Sequence, residues 1–140
     1  MDQQINSEPQ ALSIMLDVSR GISDREAAAR YLEKYASKNA IDGLIRALSD
    51  NDFGVRWAAS TALARLGEQA LPSVLKSIIH GYNARLREGV YHVLHYNKSV
   101  WVWQNAEPLM QALKSSIPDV LGPQAAAELL ENFKQRQRDA

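Results

Sequence analysis

An all-α chain of about four stacked helical hairpins, eight helices forming one domain over residues 1–140, is the fold class that the sequence predicts. Three observations predict it. Arg25, Arg56 and Arg87 recur at intervals of 31 residues, and the same offset carries Ala28 to Ala59 to Val90, Tyr31 to Ala62 to Val93, and Leu32 to Leu63 to Leu94. Within each copy these positions fall at i, i+3, i+6 and i+7, which puts the apolar ones on one stripe of a helix. Between the copies a second apolar helix repeats: Ile41, Leu44, Ile45 and Leu48 return as Leu71, Val74, Leu75 and Ile78. A helix pair that cannot cover its own apolar face must stack on its neighbours.

The elements follow in order. The spacing predicts helices over about 8–20, 24–37, 40–49, 54–67, 71–80, 85–97, 105–115 and 122–136, paired as repeats 8–37, 40–67, 71–97 and 105–136. Ser7-Glu8-Pro9-Gln10 and Ser23-Asp24-Arg25-Glu26 read as capping boxes for the first two. Asn39, Asp52, Asn83 and Asn105 stand where later helices should begin. Gly67, Gly81 and Gly122-Pro123 read as breaks. The fourth pair opens with Leu109, Met110 and Leu113 and closes with Ala126, Leu129, Leu130 and Phe133. From the second repeat to the third the two helices advance by 30 and 31 residues, but from the third to the fourth by 35 and 36. Five inserted residues therefore lie in the connection that contains Ser99-Val100-Trp101-Val102-Trp103-Gln104.

Asp52-Phe53-Gly54-Val55-Arg56-Trp57-Ala58-Ala59 through Leu66-Gly67, followed by Ala70-Leu71-Pro72, resembles the HEAT repeat, in particular the short HEAT-like repeats of the phycobilisome-lyase type. The likeness is strong in the second repeat, good in the third, partial in the first and weak in the fourth, as for atypical end caps. It implies an α-solenoid with second helices lining a concave face. It also implies that the arginines opening the second helices, Arg25, Arg56 and Arg87, are structural, bridging to acidic or carbonyl groups of neighbouring turns. A basic track for phosphates is the alternative reading of that ladder.

Composition narrows the function. Sixteen basic and 16 acidic side chains cancel, which argues against a nucleic-acid partner held through phosphate contacts. The absence of cysteine excludes thiolate metal sites and thiol catalysis. No apolar run is long enough to span a membrane, and Met1 leads into Asp2-Gln3-Gln4 rather than a secretory leader, so a cytoplasmic location is expected. No phosphate loop, nucleophile elbow or dinucleotide fingerprint is present. HEAT-like hydroxylases carry paired His-Glu dipeptides, which this chain lacks. Glu88, His92 and His95 share a helical face, but the matching face of the second repeat offers Trp57, Thr61 and Ala64, so no metal site is expected. Neither catalysis nor a cofactor is predicted.

Residues 70–105 carry four basic side chains against one acidic, all three histidines, and Tyr82, Tyr91, Tyr96, Trp101 and Trp103. Aromatic enrichment of this kind marks interface cores. The expected function is a protein-interaction scaffold whose concave face binds a partner, an acidic or aromatic-containing protein segment, through Trp57, Arg85, Glu88, Tyr91, His92, His95, Trp101 and Trp103. At least one of the two inserted tryptophans is expected to pack beneath the next helix, and the insertion to contact the partner or a second copy of the chain. Binding of an acidic partner should tighten as pH falls through about 6.5, the ordinary histidine value. The alternative, resting on the repeat subtype, is a phycobilin-lyase-like accessory subunit or a chaperone for a tetrapyrrole-binding protein.

Overall fold

A computed structural model describes residues 4–81 and 83–140; Tyr82 lies outside the described residues. Among these there are nine α-helices and no strand: α1 (Glu8–Leu16), α2 (Ile22–Leu32), α3 (Lys38–Ala47), α4 (Phe53–Leu66), α5 (Leu71–His80), α6 (Ala84–His95), α7 (Val100–Asn105), α8 (Glu107–Leu113) and α9 (Pro118–Asp139). The second helices α2, α4 and α6 lie side by side as an inner layer, the layer that the resemblance assigns to the concave side. The first helices α1, α3 and α5 form the outer layer. One apolar core runs between the layers from Ala11 to Phe133, with Leu32, Leu63 and Leu94 fully buried at equivalent positions of α2, α4 and α6.

Local chemistry explains the boundaries. Ser7, Asp52 and Asn83 cap α1, α4 and α6 by accepting from the backbone N–H three residues on. Helix α1 stops at Leu16 because the Asp17 carboxylate accepts from both the N–H and the hydroxyl of Ser19, drawing the chain into a turn. The Ser23 box is not formed, since α2 already starts at Ile22 after Gly21. Ser37, not Asn39, caps α3, and Asn105 ends α7 rather than opening α8, which begins after Ala106. Gly67 ends α4 at φ 64°, and a Cβ there would meet the Lys98 side chain at 2.9 Å. Gly122-Pro123 is not a break. Pro118 initiates α9 at its first turn, and Pro123 lies inside the helix, one turn on. Gly122 is buried between Leu113 of α8 and Ile78 of α5, where a Cβ would make ordinary van der Waals contacts.

The fourth hairpin corrects the expected stacking order. Helix α8 packs on α6 and so continues the inner layer, whereas α9 packs along α5 and continues the outer layer. The insertion makes this possible by folding as a helix beyond the expected eight, α7. Its start is pinned to the end of α4 by Lys98 N–H donating to the Ala64 carbonyl at 3.1 Å. Ser99 caps α7 and donates its hydroxyl to Glu68 at 2.7 Å, and Arg136 of α9 pairs with the other Glu68 oxygen. Bonds from the Ser99 hydroxyl and from Arg136 hold the Glu68 carboxyl below its ordinary range. The apolar stripe of α9, Gly122, Ala126, Leu129, Leu130 and Phe133, runs for about 17 Å at 1.5 Å per step, enough to cover the ten-residue α5 at about 15 Å. The seven-residue α8 cannot cover that face.

The turn between α3 and α4 ties the rungs together. Arg25, 4% exposed, donates to the Met15 carbonyl at 2.8 Å and grips both oxygens of Asp50, at 3.2 and 2.5 Å. Arg56 donates to the carbonyls of Asp50 and Asn51, and Arg85 reaches from α6 to the Asn51 side chain at 2.7 Å and the Asp50 carbonyl at 3.4 Å. Arg87 pairs forward with Asp119 of α9 at 2.5 Å. Burial opposes ionisation of Asp50, but the Arg25 bond, the Asp52 N–H and the charges of Arg25 and Arg56 outweigh it and hold the carboxyl below its ordinary value.

Two stability predictions follow from this packing. Leu63→Ala should cost about 2–5 kcal/mol in chemical denaturation; a change within about 0.5 kcal/mol is the surface value and would contradict the core assignment. Arg25→Ala removes the ion-pair partner of the largely buried Asp50 carboxylate, leaving it the Asp52 N–H, and should cost about 3–5 kcal/mol, more than Arg56→Ala at about 1.5–3 kcal/mol, where carbonyl partners are lost. The reverse ranking would contradict the assignment of the buried bond to Arg25.

Candidate functional site

The inner layer presents a row of grooves, one between each pair of adjacent helices. The α2/α4 groove, about 610 Å³, has Gly54 and Ala58 on its floor and Phe53 and Trp57 on one wall. Small residues on the floor let the flanking aromatic rings stand above the surface. A narrow α4/α6 groove of about 160 Å³ carries Arg56, Arg85 and Glu88. The α6/α8 groove, again about 610 Å³, is lined by Arg87, Tyr91, His95, Tyr96 and Lys114. Trp57 borders the first two, and Glu88 and His92 border the last two.

Aromatic rings join these grooves into one strip. Helical spacing puts Phe53 and Trp57 on one face of α4 and Glu88, His92, His95 and Tyr96 on the facing side of α6. Trp57 lies 6.0 Å from Phe53, 4.1 Å from His92 and 6.5 Å from Tyr96. His95 meets Tyr96 edge-on at 4.6 Å and stacks on Tyr91 at 6.0 Å. Lys114, which caps the C-terminus of α8, sits over the Tyr91 ring, 4.2 Å from its centroid. Phe53, Trp57 and Tyr96 are 59%, 47% and 59% exposed, a high value for rings of this size.

Of the residues expected in a partner surface, Trp57, Glu88, Tyr91, His92 and His95 are brought together on this strip. Arg85 lines the middle groove while bonded to Asn51. Trp101 does not join them: it is half-buried against Phe133, 5.4 Å between centroids, with the Arg136 guanidinium over its ring. Trp103 is 72% exposed on α7 beside exposed Val100. Both lie on the insertion, beyond the ends of α4 and α6, because α7 turns toward α9. Three residues of the strip, Phe53, Tyr96 and Lys114, lie outside the expected partner set, although Tyr96 belongs to the aromatic enrichment of residues 70–105. Phe53 and Tyr96 each stand four positions from a residue of that set, Trp57 and His92, so the helical period points to them. Lys114 carries no such signal, since only the reversed order of the last hairpin places it there.

Among the described residues no group of three His, Asp or Glu side chains is gathered to hold a metal ion, and no helix is long and apolar enough to cross a membrane. His92 is wedged between Trp57 and Tyr96, the latter 4.6 Å away, with Nε2 buried and unbonded. Burial, then the charge of His95, push its imidazole below the ordinary histidine value against the opposing pull of Glu88. The expected binding transition at about pH 6.5 is therefore displaced to lower pH for this residue. The folded chain then binds fewer protons than the unfolded chain as pH falls below about 6.5, so His92 subtracts stability on acidification. Replacing it by the ring-shaped but non-titrating Phe should flatten the loss of stability between about pH 7.5 and about pH 5.5 in denaturant titrations. An unchanged slope would mean that His92 titrates as it does in the unfolded chain.

Comparison with known proteins agrees with the helical pairs. A family model described as HEAT repeats matches residues 9–95, more than half of the chain. The match ends with α6, where α7 interrupts the regular alternation. No curated protein and no solved structure matches the chain. The match and the hairpin stacking together place the chain in the HEAT-repeat family.

Proposed function

We propose that the protein is a non-enzymatic interaction scaffold that binds an acidic or aromatic-containing segment of a partner protein on its inner layer, in the cytoplasm. HEAT repeats are commonly protein-interaction scaffolds, and a fold of this kind assigns no chemistry by itself. The observation that carries the reading is the strip of rings from Phe53 through Trp57 and His92 to Tyr96, of which Phe53, Trp57 and Tyr96 are solvent-exposed, set among Arg56, Arg85 and Lys114. Exposed aromatic groups beside arginines are the usual composition of binding hot spots. The rings lie on helices whose opposite faces are locked in the core, so little ordering cost falls on binding.

The test is alanine substitution measured against the native partner by calorimetry. Trp57→Ala or Tyr96→Ala should weaken binding by more than about 2 kcal/mol in variants that retain wild-type helicity. Trp103→Ala should leave the affinity within about 0.5 kcal/mol. Loss through Trp103 alone would place the interface on α7 instead of the inner layer.

A further inference from the structure

Resting on the reading of the inner layer as the docking face, we infer that the face is a two-point ruler for an extended segment: an apolar side chain seats in the α2/α4 groove against Phe53 and Trp57, and a carboxylate about six residues away meets Lys114 in the α6/α8 groove. The two wide grooves differ in what they leave unsatisfied. In the first, the charges are already paired within the protein, Arg30 with Glu26 and Arg65 with Glu33. What remains is the aromatic wall over a floor of Gly54 and Ala58, which suits an apolar group.

The α6/α8 groove has the opposite balance. Lys114 meets a ring and no carboxylate among the described residues, while the neighbouring Arg87 is taken by Asp119. Arg56 and Arg85 border the middle groove, held by uncharged carbonyl and amide groups. Glu88 is the single acid bordering the middle and third grooves, so the path from Trp57 to Lys114 is net basic. An acidic segment is the complementary ligand.

Geometry sets the length. Packed helices lie about 8–10 Å apart, so the outermost grooves, two helix spacings apart, are separated by about 16–20 Å. An extended chain covers about 3.3 Å per residue, which makes the span about six residues.

Blocked synthetic peptides with one leucine and a terminal Glu-Glu pair, separated by one, four or nine Ser/Gly residues and made in both directions, test this by calorimetry. The four-residue spacer should bind about tenfold more tightly than the one-residue spacer in one direction, because the shorter peptide cannot engage both grooves; the nine-residue spacer should retain most of the gain. Phe53→Ser should erase the preference for leucine over serine in the peptide, and Lys114→Gln the preference for Glu over Gln, each leaving helicity unchanged. Equal affinity at all three spacings, indifference to both variants, or no binding at millimolar peptide would overturn the ruler. If native partner binding still depended on Trp57 in that case, the scaffold reading would stand and the partner would present a folded surface. Independence from Trp57 and Tyr96 would remove the scaffold reading as well.

Discussion

The arrangement of the molecule depends on one turn, residues 50–52. Asp50 holds the buried Arg25 of the preceding rung, while its backbone carbonyl accepts from Arg56 of its own rung and Arg85 of the next. Asp52 caps α4 and donates its N–H to the Asp50 carboxylate. Three inner helices are thereby anchored near their first turns to a single point. A buried ion pair is weak evidence for net stability, because desolvation offsets much of the attraction. Its effect in this fold is positional: an Arg25 fork that is satisfied only by the Met15 carbonyl and Asp50 together admits one relative placement of α1, α2 and the α3–α4 turn. That placement brings Trp57 on α4 over His92 on α6, since both helices are held at the same end.

A second constraint comes from the insertion. In a regular stack the chain leaving α6 would return to the outer layer, and the short α8 would have to cover α5. The apolar edge of α5, with Leu71, Val74, Leu75 and Ile78 buried, needs a longer partner. Helix α9 provides one, and the lock of Ser99, Glu68 and Arg136 holds it there, with Trp101 on Phe133 filling the joint. The inner layer gains α8 as a consequence, and with it Lys114. One change of connectivity therefore closes the outer layer and extends the candidate docking face.

The hairpins were legible in the sequence because the 31-residue period and the core stripe are the same physical fact: a residue that must be buried in every copy recurs in every copy. Five residues of the candidate site were legible for the complementary reason. Once Leu63, Val90, Val93 and Leu94 face inward, Trp57, Glu88, Tyr91, His92 and His95 occupy the remaining arc. The order of the last hairpin was not legible, since apolar spacing says that a helix has a buried face and not which layer receives it. Gly122-Pro123 misled because Pro118 already starts α9: the helix runs on through Pro123 at the loss of one backbone hydrogen bond, while Gly122 before it and Ala126 after it are buried. Of the paired tryptophans, Trp101 packs on Phe133, as expected of at least one of them, but their proximity in sequence to α6 does not put either on the strip, because α7 carries both past the ends of the inner helices.

Amide hydrogen exchange in the full-length Asp50→Asn variant tests the central claim most directly, since it reports local opening rung by rung. If the turn is the common anchor, protection should fall together in the first turns of α2, α4 and α6, while α8 and α9 keep wild-type rates. Loss of protection confined to residues 50–52, with the starts of α2 and α6 exchanging as in the wild type, would show that the helices are positioned by their apolar contacts alone and would contradict the account.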